Sequence, residues 1–152
     1  MPTGIGSVEE EQIMGSRENT ETFNQWIEAH RAHDLDALVT FLTDDVTIQS
    51  SAGADMPPAT GKDEARHHWQ TIYDAFPDMR MDLVDLTSEG DTLFAEISHG
   101  GTMEGAMGPR QPTGKSYRTT GAFRFDFSDG KIQSILSYWD TATMAKQLEL
   151  VG

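Results

Sequence analysis

Thr92-Leu93-Phe94-Ala95-Glu96-Ile97-Ser98-His99-Gly100-Gly101-Thr102-Met103 and Tyr117-Arg118-Thr119-Thr120-Gly121-Ala122-Phe123-Arg124-Phe125-Asp126-Phe127 decide the fold of this chain. Both alternate with period two, the pattern of a strand with one buried face. In the first, Leu93, Ala95, Ile97, His99, Gly101 and Met103 share the apolar side. In the second, Tyr117, Thr119, Gly121, Phe123, Phe125 and Phe127 do. Residues 79–86 and 131–140 read as strands flanking this pair, joined through Ser88-Glu89-Gly90-Asp91 and Ser128-Asp129-Gly130.

Upstream the period changes to that of a helix. Phe23, Trp26, Ile27 and His30 fall on one face, with Asn19 or Thr20 as the expected cap. Asp34 can cap a second short helix carrying Leu35, Leu38 and Val39, and residues 44–50 read as a strand. A third helix is expected over 63–76, burying Ala65, Trp69, Ile72, Tyr73 and Phe76 before Pro77-Asp78 ends it. Three helices followed by a meander make an α+β fold, not an alternating parallel one. Residues 1–18, with the like-charge run Glu9-Glu10-Glu11, read as a flexible tail, and 19–152 as a single domain.

The chain has 152 residues and no cysteine, which excludes disulfides and thiolate chemistry. Its net charge of −14, from 25 acidic and 11 basic residues, repels phosphate backbones and anionic membranes. No apolar run approaches the ~20 residues of a membrane span, and a cytoplasmic location is the default. Gly108 to Ser116 only imitates a phosphate loop: five residues separate Gly108 from Gly114, and a strand follows. No third ligand is spaced to join His30-x-x-His33 or His67-His68, so no metal or other cofactor is expected.

The last strand offers two rows. Ile132, Ser134, Leu136, Tyr138 and Asp140 form the larger, more apolar one and are assigned inward; a bulge would reverse part of this. That assignment leaves Ile135 and Trp139 outside, where a homodimer contact is expected. It also places two ionisable groups, His99 and Asp140, among hydrophobes, an arrangement that tunes proton affinity for acid–base chemistry. Asp140 could equally cap a helix starting at Thr141, and His99 could be structural.

Six fragments, in order, resemble the SnoaL-like polyketide cyclases of the nuclear transport factor 2-like superfamily. They are Ala32-His33-Asp34-Leu35-Asp36-Ala37-Leu38, Asp44-Asp45-Val46, Ala75-Phe76-Pro77-Asp78, Pro112-Thr113-Gly114-Lys115, Asp129-Gly130-Lys131-Ile132, and Tyr138-Trp139-Asp140 with Gln147-Leu148. The resemblance implies a curved antiparallel sheet wrapped around three N-terminal helices, a cone with an internal pocket. It also implies cofactor-free acid/base chemistry with Asp140 at the family's aspartate position. Where that family commonly has Gly-Thr-His, this chain has Gly101-Thr102-Met103, and His99 lies two residues earlier on the same face.

The expected function is a cyclase, isomerase or lyase acting next to a carbonyl of a small apolar, ring-containing substrate. Asp140 and His99 would be catalytic, with His30, Trp26, Trp69, Tyr73, Met103, Phe123 and Tyr138 holding the substrate. The alternative is a non-catalytic binding or assembly module; an epoxide hydrolase is the third reading, and it lacks an inward Arg. Whether Asp140 shares a cavity with His99 separates the first two.

Overall fold

The computed structural model describes residues 5–51 and 56–150, with side chains described from residue 15 onward. Helices α1 (Ile5–Arg31) and α2 (Leu35–Thr40) precede strands β1 (Leu42–Ser50) and β2 (Ala59–Thr60) and helix α3 (Lys62–Ala75). Strands β3 (Arg80–Glu89), β4 (Thr92–Thr102), β5 (Ser116–Ser128) and β6 (Lys131–Tyr138) follow, and helix α4 (Thr141–Gln147) ends the succession. The six strands form one sheet in the order β2-β1-β6-β5-β4-β3. The meander from β3 to β6 is antiparallel throughout, and β1 pairs parallel to β6.

Local chemistry explains the joints. Asp34 accepts a hydrogen bond from the Ala37 amide at 3.0 Å and caps α2. At the β5–β6 turn Asp129 and Gly130 both have positive φ, 49° and 76°, the backbone of a tight two-residue hairpin turn. The apolar face of α1 lies on the sheet: the rings of Phe23 and Trp26 each meet that of Phe125 edge-on at 5.1 Å.

Two expectations are corrected. α1 begins at Ile5, so Asn19 lies inside the helix and caps nothing. Asn19 is instead buried, and its amide donates to Gly90 O and Asp91 Oδ1 in the β3–β4 turn, where Ser16 Oγ also donates to Gly90 O. Residues 1–4 of the expected tail lie outside the described residues.

The second correction concerns β6. Asp126 pairs with Ser134 but Phe127 pairs with Ile132, which leaves Gln133 as an extra residue. This bulge reverses the row that follows it. Ile132, Ile135 and Ser137 are buried, Leu136 is only partly so, and Tyr138 is 57% exposed. Ile135 and Trp139 therefore face the interior and cannot form the outer contact expected of them. Among the described residues, the large apolar side chains left exposed are Val84, Phe94 and Tyr138.

Candidate functional site

A cavity lies between the concave face of the sheet and the helices. α1 contributes Trp26 and His30, α3 contributes His68, Trp69 and Ile72, and β1 contributes Ile48. Met79 comes from just before β3 and Met81 from its start, His99 from β4 and Phe123 from β5; Ile135, Ser137 and Trp139 come from β6 and the residue after it. The space is small, about 30 Å³ measured at the centres of water-sized spheres, room for a water or two.

Two histidine–tyrosine pairs stand in this wall. His99 Nδ1 lies 2.9 Å from Tyr117 Oη, and its Nε2 is 3.5 Å from Thr119 Oγ1. His99 pairs across the ladder with Thr119, and it has room because the next inward residue of β5 is Gly121, where a Cβ would stand 3.2 Å from His99 Nε2. On the helix side, Tyr73 Oη lies 2.6 Å from His30 Nδ1. The rings of Trp139 and His99 are 4.5 Å apart, and those of Trp26 and His30 are 4.6 Å apart.

Burial holds these imidazoles neutral. Desolvation, with His33 and His68 adding repulsion, lowers the pKa of His30 to about 3. His68 falls to about 4 through desolvation and His67, and His99 to about 4 through desolvation and Arg118. Burial raises the phenols of Tyr73 and Tyr117, so both remain protonated donors. The indole Nε1–H groups of Trp26 and Trp139 are buried without an acceptor in the protein. The site thus offers neutral donors and a weakly basic imidazole. No carboxylate among the described residues lines it, and none of their His, Asp and Glu side chains gather in threes to hold a metal ion.

Of the residues expected here, His99, His30, Trp26, Trp69 and Phe123 line the cavity. Tyr73 stands behind His30, and Met103 is buried away from the cavity. Tyr138 and Asp140 are outside. Asp140 precedes α4, where its side chain accepts the Thr143 amide at 3.1 Å, and these bonds hold its carboxyl below the usual range. Sequence reading missed Trp139, Ser137 and Ile135 because the bulge at Gln133 hides their phase. It also missed His68, whose helix position falls between the apolar stripe and the solvent face.

A curled sheet closed over helices around such a cavity is the architecture of the nuclear transport factor 2-like proteins. One structure of ketosteroid isomerase-like fold, from Catenulispora acidiphila DSM 44928, is 18% identical with a TM-score of 0.73, covering 85% of this chain and 92% of that one. Within that class the SnoaL-like domain family matches residues 23–135, and the chain belongs to it. A protein from Jannaschia sp. CCS1 assigned as a SnoaL-like polyketide cyclase superposes with a TM-score of 0.81 at 16% identity, covering 91% of this chain and 96% of that one. IdmH from Streptomyces antibioticus, assigned as a polyketide cyclase, is 27% identical with a TM-score of 0.72, over 86% and 98% of the two chains. No curated protein sequence matches the chain. Among the described residues no helix is long and apolar enough to cross a membrane.

Proposed function

We propose that the chain binds a small, apolar, ring-containing carbonyl compound in this cavity, whose lining side chains move apart to admit it, and moves a proton next to the carbonyl. His99, not Asp140, is the group proposed to handle that proton. One observation carries the reading: a neutral imidazole and two indole N–H groups without acceptors sit in the wall of one apolar cavity. Buried donors left unpaired cost ~1–3 kcal/mol each, so an oxygen-bearing ligand is favoured there.

Tyr117 lets His99 work in either tautomer. With the Tyr117 hydroxyl donating to Nδ1, His99 Nε2–H is the donor for a carbonyl or enolate oxygen. With Nδ1–H donating to Tyr117 Oη, the phenol turns to Met79 Sδ at 3.9 Å and Nε2 is free to accept a proton. An imidazole kept neutral by burial is a weak base, so the substrate should carry an already acidic C–H, such as one between two carbonyls. Similarity to proteins assigned as polyketide cyclases supports the same reading.

The test is deuterium uptake at the acidic carbon of ethyl 2-oxocyclohexanecarboxylate, followed by NMR. The protein should accelerate uptake, His99→Gln should lose about 10²-fold or more, and Asp140→Asn should stay within about twofold of the parent because its carboxyl only caps a helix. Loss of rate in Asp140→Asn alone would return the role to the aspartate. A second reading, the non-catalytic binding module, is favoured by that same capping bond, which leaves the cavity without a carboxylate. It prevails if the ester quenches tryptophan fluorescence but neither the protein nor its variants alter the exchange rate.

A further inference from the structure

Trp139 lines two spaces at once. One is the inner cavity; the other is an outer groove bordered by Met56, Met107, Met144 and Leu150, with Ala142 and Thr141 of α4 and with Arg110, whose guanidinium donates to Leu150 O at 3.4 Å. Measured in the same way, the groove holds about 330 Å³ and the cavity about 30 Å³. The indole is therefore the wall between a narrow inner chamber and a roomier space beside α4.

The backbone of this wall is held by hydrogen bonds, whereas its ring makes none within the protein. The Trp139 amide donates to Ser51 Oγ at 2.7 Å, and the Thr141 amide donates to Trp139 O at 2.9 Å. The ring leans on His99, and its buried Nε1–H has no acceptor in the protein. A buried donor without an acceptor favours any rearrangement that supplies one.

We propose that the outer groove is the second compartment of the ligand site and that Trp139 sets the length of ligand admitted. The indole swings on its anchored backbone, joins the two spaces and donates Nε1–H to an oxygen of a ligand too long for the inner cavity. The ligand class is a neutral, extended, largely apolar molecule with one hydrogen-bond-accepting oxygen. It is neutral because the net charge of −14 repels anions while the Arg110 guanidinium at the groove repels cations. It is apolar and extended because three methionines, Leu150 and the indole face the groove, and thioether side chains adapt to irregular rings. This deepens the reading above and rests on the inner cavity being the ligand site.

Two probes separate the compartments: the one-ring ethyl 2-oxocyclohexanecarboxylate, and N-phenyl-1-naphthylamine, a neutral fluorophore with three rings. Ala142 borders the groove from the exposed first turn of α4, so Ala142→Trp fills the groove without touching the core. The full-length Ala142→Trp protein should bind the fluorophore at least ~10-fold more weakly and the ester within about twofold of the parent, a gap of ~1.4 kcal/mol or more. Trp139→Ala, which removes the wall, should bind the fluorophore several-fold more tightly. Unchanged fluorophore affinity in Ala142→Trp, with its melting temperature kept, overturns the groove as a compartment. Ile48→Phe, filling the inner cavity, should weaken the ester. If it does not, the inner-cavity reading fails, and the groove proposal falls with it.

Discussion

β5 and β6 are neighbours in one sheet and are read in opposite ways. β4 and β5 pair from Thr92↔Asp126 to Thr102↔Ser116 without a register shift, and every residue of both inward rows that lies within the strands is fully or partly buried. β6 pairs with the other edge of β5 and contains one extra residue, Gln133. Because side chains alternate with period two, one extra residue exchanges inside and outside for everything after it. That exchange puts Trp139 beside His99 and Asp140 on the surface. A regular strand propagates a correct assignment; a bulged one propagates its reverse.

Deletions should break this comparison most visibly. Removing Ala122 from β5 would throw either Tyr117, Thr119 and Gly121 or Phe123, Phe125 and Phe127 onto the outer face. That variant should show no cooperative thermal transition by circular dichroism. Removing Gln133 should do little, because Asp126↔Ser134 and Phe127↔Ile132 then become consecutive pairs. The expected fall in melting temperature is no more than about 4 °C, or about 1 kcal/mol. A Gln133 deletion that unfolds the protein would mean the bulge is itself required for the sheet's curvature.

Acid should have the next largest effect, and it sharpens the contrast between inner and outer titratable groups. An unfolded histidine binds a proton near pH 6.5, whereas the folded pKa values are about 4 for His99 and about 3 for His30. The unfolded state therefore takes up protons first. The stabilisation is complete above pH 6.5 and is lost as pH falls towards those folded values. His68, whose folded pKa is also about 4, adds a third share, and between pH 7 and pH 5 each of the three should cost about 2 kcal/mol, read from urea denaturation. His99→Gln should remove one share of that slope and leave the other two. A stability unchanged over this range would mean that the imidazoles are charged in the fold.

The smallest expected effect is at Asp140. Asp140→Asn should leave the melting temperature where it is, since Asn caps as well as Asp. Asp140→Ala should lower it slightly. A large loss in either would give the residue a structural role beyond the first turn of α4.

The α+β order, the strands and the inner faces of α1 and α3 were legible because periodicity reports a single buried face. Five of the nine expected site residues line the cavity on that basis, His99 among them. The remainder fails for identifiable reasons. Asp140 and Tyr138 lie beyond a bulge whose extra residue, Gln133, has no local signature. Met103 and Tyr73 are buried as expected, but burial on the correct face does not place a side chain at the cavity. Asn19 was read as a cap from its type, whereas its amide reaches across to a distant turn.

The parallel pairing of β1 with β6 also bears on how the molecule assembles in time. β3 to β6 can form as successive hairpins, each closing a short loop. Joining Ile48 to Ile135 closes most of the chain, and contacts so far apart in sequence make for slow folding. Ile48 and Ile135 are both part of the cavity wall. The chamber is therefore expected to be the last part of the molecule completed. A ligand that needs a completed chamber cannot hasten folding; it stabilises the native state by retarding the rate at which that long loop reopens.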